Sequence, residues 1–290
     1  MGDKLVILAG GISSRMKKSV ASGNLDPWLQ QEADQKPKAM IGVGAGKMPF
    51  LDYLLYNARS AGYTDIVIVI GEQDESIRSY YGNKNFGNEF HGLSISYAVQ
   101  KIPEGRVKPL GTADALLQGL NAVPEWRGSC FTVTNSDNLY SVKALAALRQ
   151  FTSSGGMIDY DRDAMGMEFD RVKQFAVIKK NAAGYLETII EKPSAEEIAL
   201  CCNEHGRVGV SMNLFRFYYD RILPTLQNVP LNAVRFEKEL PDAVRLMVTS
   251  YPQEVMTLEF AEAVPDLTSK DDISWVRDVI KQSYPAALWK

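Results

Sequence analysis

Residues 4–15 read KLVILAGGISSR, and this stretch decides the fold. The apolar run at 4–9 is typical of a strand that is buried on both faces of a parallel sheet. Gly10 and Gly11 end the run, so the strand leads directly into a glycine turn. Ligands of parallel sheets bind beyond the carboxyl ends of the strands, which is where this turn is expected to lie. A binding site is therefore predicted near the start of the chain.

The residues that follow repeat the order of strand, helix and strand. A helix is predicted at 49–61, where Pro49 suits the first turn and Gly62 suits the end, and a buried strand is predicted at 65–70. Further strands are predicted at 93–99, 130–134, 175–179 and 186–190, a strand-like segment at 208–217, and helices at 112–122, 143–151, 218–226 and 273–283. Segment 18–35 is polar and is interrupted by Gly23 and Pro27, so a long surface loop is predicted there.

This order predicts a Rossmann-like, doubly wound α/β fold in which helices flank a mixed, mainly parallel sheet. Residues 1–290 are expected to form a single domain, because no linker, repeat or low-complexity segment interrupts them.

Composition and charge narrow the range of partners. The chain carries 32 basic and 35 acidic side chains, and its net charge of −3 gives no sign of a nucleic acid or an anionic membrane as a partner. Two histidines are too few for a His-rich zinc site. The three cysteines form no C-x-x-C pair, which is typical of reduced thiols in the cytosol. No signal peptide or membrane-length apolar run is found, so a soluble, cytoplasmic protein is expected.

The glycine turn combines several groups that suit a phosphate. Gly10 and Gly11 let backbone N–H groups approach an anion, and Ser13 and Ser14 add hydroxyl donors. Arg15 adds a forked cation that matches phosphate oxygens. A tight turn between a strand and a helix needs the same glycines, so the glycine pair alone supports both interpretations equally. The spacing does not fit G-x-G-x-x-G, and no G-K-[ST] follows, which disfavours a dinucleotide site and a P-loop.

Two charged residues further along could act on the same ligand. Lys38, in the stretch KPKAM at 36–40, ends the predicted loop and could close over a triphosphate; an ordinary surface lysine is the alternative. Asp137, in the stretch NSDN at 135–138, follows a predicted strand and should reach the same crevice. A carboxylate there suits Mg²⁺, which also takes phosphate and water oxygens. An Asx-rich turn is the other interpretation of this stretch.

Two further segments could bind other parts of a ligand. Gly111 and Thr112 begin a predicted helix, where small residues permit the close approach of a flat base or a ribose. Capping of that helix by Thr112 is the alternative. Glu191 and Lys192 follow a predicted strand and could offer a carboxylate to sugar hydroxyls and a cation to a phosphate. An exposed, charged turn is the alternative for this pair.

In their order along the chain, these motifs resemble those of the sugar-phosphate nucleotidyltransferases, also called nucleoside-diphosphate-sugar pyrophosphorylases. The resemblance extends over nearly the whole chain, from residue 5 to residue 273. It is carried by Asp137 and by the segments GGISSR (10–15), PKAM (37–40), YAVQ (97–100), LGTADA (110–115), EKP (191–193) and DLTSKDD (266–272).

The resemblance implies a Mg²⁺-dependent enzyme that joins a nucleoside triphosphate to a sugar 1-phosphate and releases pyrophosphate. It implies a nucleotide-binding half at 1–140 and a sugar-phosphate-binding half with a C-terminal elaboration at 141–290. The implied nucleotide-binding residues are Leu8, Gly10, Gly11, Ser13, Ser14, Gln100, Gly111 and Thr112. Catalytic roles are implied for Arg15, Lys38, Asp137 and Lys192, Mg²⁺ ligation for Asp137 and Asp266, and sugar-phosphate contacts for Glu191, Lys192 and Asn213.

The chain departs from the family pattern at several places. Ser13 stands where a glycine is usual, an insertion separates Arg15 from Lys38, and Thr268 replaces a glycine. These departures leave open the identity of the molecule that accepts the nucleotidyl group. One alternative is a non-sugar acceptor of the phosphocholine or molybdopterin type, and another is a non-catalytic, nucleotide-binding regulatory protein of the same fold. The aromatic segment 215–219 suits either the core or an interface, so a homo-oligomer is also left open.

Overall fold

The computed structural model describes residues 3–21, 23, 25–165, 175–233 and 235–289. Its strands are β1 (Lys4–Leu8), β2 (Asp65–Gly71), β3 (Asn88–Phe90), β4 (Leu93–Gln100), β5 (Cys130–Asn135), β6 (Gly155–Asp161), β7 (Ala176–Lys180), β8 (Leu186–Glu191), β9 (Gly209–Ser211), β10 (Phe215–Tyr218) and β11 (Val255–Phe260). Its helices are α1 (Ser14–Lys18), α2 (Pro27–Gln35), α3 (Phe50–Ser60), α4 (Glu75–Tyr81), α5 (Thr112–Ala122), α6 (Val142–Gln150), α7 (Ala195–Leu200), α8 (Tyr219–Asn228), α9 (Leu240–Ser250) and α10 (Asp272–Ser283). Short 3₁₀ turns lie at Lys38–Met40, Ala45–Lys47, Pro124–Trp126 and Arg162–Met165. Within these residues, no helix is both long and apolar enough to cross a bilayer.

These strands join one mixed sheet in the order β3-β4-β2-β1-β5-β10-β6-β9-β7-β8, and β11 pairs with β6. Pairing is parallel among β4, β2, β1 and β5 and between β6 and β11, whereas the other neighbours are antiparallel. Because β1 lies between β2 and β5, the residues that follow these three strands meet at one edge of the sheet. The predicted doubly wound, mixed sheet is confirmed.

Strand β1 is buried on both faces, as its apolar run predicted. Leu5 and Ile7 lie in one hydrophobic cluster with side chains of α3 and α6. Val6 and Leu8 lie in a second cluster with side chains of α5, α8 and α9. Alternate side chains of a strand point to opposite faces, so the sheet needs helices on both sides to cover them.

The predicted helices and strands are present, with ends that differ by one or two residues, and the segment 208–217 is divided into β9 and β10. Other elements were not predicted, namely α1, α4, α7, α9, β3, β6 and β11. Strand β6 shows why. It begins with Gly155 and Gly156 and contains Asp159, which are residue types depleted in strands. Pairing with β10, β9 and β11 overrides that low propensity.

The prediction of a long surface loop at 18–35 is wrong. Helix α2 occupies its second half, and Pro27 stands in the first turn of that helix rather than breaking it. Leu29 and Ala33 are fully buried in a cluster with Met16 of α1 and Ile273 of α10. The helix is short, so its stability comes from this burial more than from its sequence. Positions 22 and 24 of the predicted loop lie outside the described residues.

Candidate active site

The carboxyl ends of β1 and β5 bring the glycine turn next to Asp137. Leu8 is paired with Asn135, and the backbone N–H of Ser136 donates to the carbonyl of Leu8 over 3.1 Å. Lys38 reaches this edge from the segment after α2, and its Nζ lies 2.9 Å from Asp137 Oδ2. The lysine side chain is only 11% exposed. Residues that are 99 positions apart in sequence therefore form an ion pair at the predicted crevice.

Ser13 connects the glycine turn with the Lys38 segment. Its Oγ accepts a hydrogen bond from the backbone N–H of Lys38 over 3.2 Å. Ser13 has φ 56 and ψ 32, which is the left-handed conformation that glycine adopts without strain. The backbone at this position is therefore one that a glycine would favour, and the serine adds a side-chain contact that a glycine lacks.

Arg15 and Ser14 lie on α1 and line a cleft of about 730 Å³. The same cleft is lined by Thr268, Ser269, Asp271 and Asp272, which come shortly after Asp266 in the chain. Arg15 is exposed, and a Cβ added to Gly11 would meet no atom within 4 Å. The glycine turn and the arginine therefore face open space that a ligand can enter.

Asp266 lies beside Asp137 because two backbone segments pair there. Asn138 and Asp266 form an antiparallel bridge, and the N–H of Leu267 donates to the carbonyl of Asp137 over 2.9 Å. Asp266 is 3% exposed, and its Oδ2 accepts a hydrogen bond from Thr268 Oγ1 over 2.6 Å.

The chemistry of this carboxylate pair suits Mg²⁺. In the part of the chain that the structure describes, no three His, Cys, Asp or Glu side chains are grouped to hold a metal ion. Mg²⁺ is commonly held by one or two carboxylates together with substrate phosphates and water, so Asp137 and Asp266 are a sufficient protein contribution. A structural zinc site, by contrast, takes four protein ligands.

Gln100 and Gly111 also lie together. The Nε2 of Gln100 donates to the carbonyl of Gly111 over 2.9 Å and to Asp114 Oδ2 over 2.8 Å. Gln100 ends β4, which is separated from β1 by β2 alone, and its Oε1 lies over Gly10. Gln100 and Gly111, which the resemblance implies bind the nucleotide, are therefore held as one unit beside the glycine turn. Sequence reasoning missed Asp114, although it belongs to the quoted segment LGTADA.

Glu191 is connected to the turn at Gly111 and Thr112 through residues that sequence reasoning missed. Arg235 Nη1 lies 3.3 Å from Glu191 Oε2 and 2.9 Å from Glu239 Oε1. Thr112 Oγ1 donates to Glu239 Oε2 over 3.1 Å and accepts from the N–H of Leu240 over 2.8 Å. Burial raises the pKa of Glu191, as does the nearby Glu239, while Arg235 opposes both. No local motif marked Arg235 or Glu239.

Asn213 is placed near the Asp137 turn by a buried tyrosine. The hydroxyl of Tyr140 donates to the carbonyl of Met212 over 2.6 Å and lies 3.3 Å from Asn138 Oδ1. Asn213 itself has φ 56. Lys192 is exposed and has φ 48 at the end of β8. Among the described residues, the structure gives it no contact with Lys38 or Asp137.

Helix α2 braces the segments that carry Arg15, Lys38 and Asp266. Glu32 Oε2 accepts from the N–H of Gly42, two residues after the Lys38–Met40 turn, over 2.7 Å. Lys270, which is 5% exposed, donates from Nζ to the carbonyl of Ser19 and to Asp34 Oδ1, each over 2.7 Å. The insertion is therefore a packed support for the site, built by contacts that no local pattern in the sequence predicts.

Replacing Lys270 with methionine is expected to lower the free energy of unfolding by about 1–3 kcal/mol, because the carbonyl of Ser19 and the carboxylate of Asp34 lose a buried charged donor. Urea denaturation followed by circular dichroism measures the change. The matched control is Lys281→Met in the exposed last turn of α10, which should alter stability by less than about 0.5 kcal/mol. Equal midpoints for Lys270→Met and the wild type would contradict the bracing role.

Comparison with known proteins places the chain in a family. The family model described as "Nucleotidyl transferase" matches residues 33–258. The bifunctional protein GlmU of Aquifex aeolicus is 23% identical over 286 residues, covering 96% of this chain and 53% of that protein. The D-glycero-alpha-D-manno-heptose 1-phosphate guanylyltransferase of Aneurinibacillus thermoaerophilus is 26% identical over 137 residues, covering 47% of each. The chain thus spans about half the length of these relatives.

Solved structures share the fold. A UDP-glucose pyrophosphorylase in complex with UDP-glucose superposes with a TM-score of 0.70 at 17% identity, covering 97% of this chain and 99% of that one. A putative glucose-1-phosphate thymidylyltransferase from Bacillus anthracis gives a TM-score of 0.67 at 17% identity, covering 99% and 98%. The predicted resemblance to sugar-phosphate nucleotidyltransferases is confirmed at the level of the family. Because the family model matches most of the chain and the sheet is that of these structures, the chain belongs to the nucleotidyl transferase family.

Proposed function

We propose that this protein transfers a nucleotidyl group from a nucleoside triphosphate to a sugar 1-phosphate, with Mg²⁺ as cofactor and pyrophosphate as the second product. The observation that carries the proposal is the pairing of Lys38 with Asp137, 2.9 Å apart, at the carboxyl ends of β1 and β5. The glycine turn follows β1, which pairs with β5, and Asp266 pairs with Asn138, the residue after Asp137. Such a site can receive a triphosphate and a divalent cation together.

In the proposed reaction, a phosphate oxygen of the acceptor attacks the α-phosphorus of the nucleotide. The new P–O bond forms as the bond from the α-phosphorus to the bridging oxygen breaks, and that electron pair leaves with pyrophosphate. The protein contributes positioning and charge neutralisation rather than a covalent intermediate. Arg15 and Lys38 are the cations proposed to hold the departing pyrophosphate.

Asp137 and Asp266 would hold the cofactor. When bound, Mg²⁺ supplies positive charge against the phosphate oxygens of the substrates. Lys38 forms an ion pair with Asp137, and we propose that nucleotide binding exchanges this ion pair for new contacts. Lys38 would then donate to phosphate oxygens, and Asp137 would be one of the two residues that hold the cation.

The acceptor side is proposed to lie in the half of the chain at 141–290, and the nucleotide side in the half at 1–140. Glu191 and Asn213 are the proposed contacts for the sugar, and Lys192 for its phosphate. Relatives that are named for heptose 1-phosphate and glucose 1-phosphate support a sugar 1-phosphate as the acceptor. The proposed setting is the cytoplasm, in line with three cysteines that form no disulfide.

A screen for pyrophosphate release tests this function. The full chain is incubated with each of four nucleoside triphosphates and with a panel of sugar 1-phosphates, phosphocholine and a pterin phosphate, in MgCl₂ and in EDTA. Release with a sugar 1-phosphate, abolished by EDTA, is the expected result. Release with phosphocholine or the pterin phosphate alone would reassign the acceptor. Nucleotide binding without release from any acceptor would indicate a non-catalytic regulatory protein instead.

A further inference from the structure

The carboxylate of Asp137 is partnered by a cation of the chain itself. Lys38 Nζ lies 2.9 Å from Asp137 Oδ2, which is hydrogen-bond distance for an ammonium group and a carboxylate. The lysine side chain is 11% exposed and that of Asp137 is 30% exposed, so water and salt screen the pair only in part. The contact is therefore a partly buried ion pair, which is stronger than an exposed surface pair.

A divalent cation and Lys38 compete for this carboxylate. Mg²⁺ binds carboxylate oxygens at about 2.0–2.1 Å and carries two positive charges. An ammonium group at hydrogen-bond distance from the same carboxylate would repel it, because two cations a few ångströms apart interact strongly where screening is incomplete. Binding of one cation at Asp137 therefore weakens binding of the other.

Displacement of Lys38 requires a new partner for its ammonium group. The side chain is largely buried, and a buried charge that loses its partner is strongly unfavourable. A triphosphate at the glycine turn would supply anionic oxygens close by, since Ser13 Oγ of that turn lies 3.2 Å from the backbone N of Lys38. An anion at the turn can therefore release Asp137, whereas a metal ion alone leaves Lys38 without a partner.

The backbone of Lys38 does not depend on the ion pair. Its N–H donates to Ser13 Oγ, and the next two residues, Ala39 and Met40, are buried in a hydrophobic cluster with side chains of α3. These contacts hold the segment in place when the lysine side chain changes partners. An exchange of partners therefore requires movement of the side chain alone.

We propose that Lys38 makes metal binding depend on nucleotide binding. With no nucleotide bound, Lys38 holds Asp137 and lowers the affinity of the two carboxylates, Asp137 and Asp266, for a divalent cation. A nucleotide draws Lys38 to its phosphates and makes Asp137 available at the same time. By thermodynamic linkage, the cation and the nucleotide then strengthen each other's binding. This inference rests on the proposed nucleotide and metal sites and adds how each depends on the other.

The test is a metal titration without nucleotide or acceptor, so it needs no turnover. Mn²⁺, which takes the same oxygen ligands as Mg²⁺, is titrated into the full chain, and electron paramagnetic resonance measures the unbound Mn²⁺. Lys38→Met should bind Mn²⁺ about 10-fold or more tightly than the wild type, because the competing cation is gone.

Lys36→Met is the matched control, because it removes the same charge two residues away. Lys36 pairs with Glu32 and its side chain is 43% exposed, so water screens its charge. The affinity of this variant for Mn²⁺ should differ from that of the wild type by less than about threefold.

Two further variants locate the cation and guard against a folding defect. When Asp137→Asn is added to Lys38→Met, the gain in affinity should be lost, because the carboxylate that Lys38 releases is removed. If Lys38→Met melts early, Lys38→Gln is measured in its place. Its amide can still donate to Asp137 but carries no charge, so it should show the same direction of change.

The outcomes separate this inference from the proposed function. Equal Mn²⁺ affinities of the wild type and Lys38→Met would overturn the inference, and so would a gain that survives in the double variant. Failure of Lys38→Met to bind Mn²⁺ at millimolar concentrations would overturn it too. The screen for pyrophosphate release judges the function independently: release together with equal Mn²⁺ affinities would reject the coupling alone.

Discussion

Replacement of Asp137 by asparagine is expected to lower kcat/KM for pyrophosphate release by about 100-fold to 1,000-fold, because such a loss corresponds to one charged contact with the transition state. The substitution keeps the shape of the side chain and removes the charge that Lys38 Nζ meets at 2.9 Å. It also removes one of the two carboxylates proposed for Mg²⁺. The concentration of MgCl₂ needed for half-maximal rate should therefore rise in the same variant.

Two further variants make this result specific. Asp163→Asn changes an aspartate that is 70% exposed and pairs with Arg162 outside the crevice, and it should leave the rate unchanged. Lys38→Met should also lower kcat/KM strongly, but the double variant with Asp137→Asn should lose less than the sum of both losses, since the two groups contact each other. A variant at Asp137 with nearly full Mg²⁺-dependent turnover would refute the proposed metal site.

Replacement of Gly111 by alanine is expected to lower the free energy of unfolding by about 2–4 kcal/mol, since strained backbone and overpacking each cost of this order. Gly111 has φ 104 and ψ −175, a conformation that is nearly exclusive to glycine. An added Cβ would lie 2.6 Å from the carbonyl oxygen of Lys238, and backbone cannot move aside as a flexible side chain can. That carbonyl also accepts from the N–H of Ala113 over 2.9 Å. Urea denaturation measures the loss.

The same variant should bind nucleotide more weakly, because the carbonyl of Gly111 accepts from Gln100 and would shift with the turn. Gly105→Ala is the matched control, with φ 77 but no atom within 4 Å of an added Cβ. This control has backbone strain without a steric conflict. We expect its free energy of unfolding to fall by about 1 kcal/mol and its affinity for nucleotide to stay unchanged. Equal destabilisation by both variants would show that the contact with Lys238 contributes nothing.

The sequence alone was sufficient for the parallel strands β4, β2, β1 and β5 and for the residues that follow β1 and β5. An apolar run such as 4–9 has few alternatives to a doubly buried strand, and the residue after such a strand must lie at the sheet edge. Asp137 and Gly10 could therefore be assigned to one crevice before any contact was known. The structure adds that Lys38 joins them, although 99 residues separate it from Asp137.

Helix α2 illustrates what the sequence could not predict. Gly23 and Pro27 are residue types that usually interrupt helices, so they predicted a loop where a helix forms. The stability of that helix depends on the burial of Leu29 and Ala33 against distant residues. Asp114, Arg235 and Lys270 were missed for a related reason. Each contacts a partner that is far away in sequence or on another element.

The amino-acid pattern thus determined the glycine turn after β1 and the kinds of groups near it. Those features depend on backbone geometry and on side-chain periodicity, which act over short stretches of chain. Which groups Gln100 contacts, which cation pairs with Asp137 and whether the insertion packs against the rest of the chain were decided only in the folded structure. Hydrogen bonds and buried ion pairs require the distance between remote segments to be correct to within a few tenths of an ångström, and only the packed core sets distances so closely.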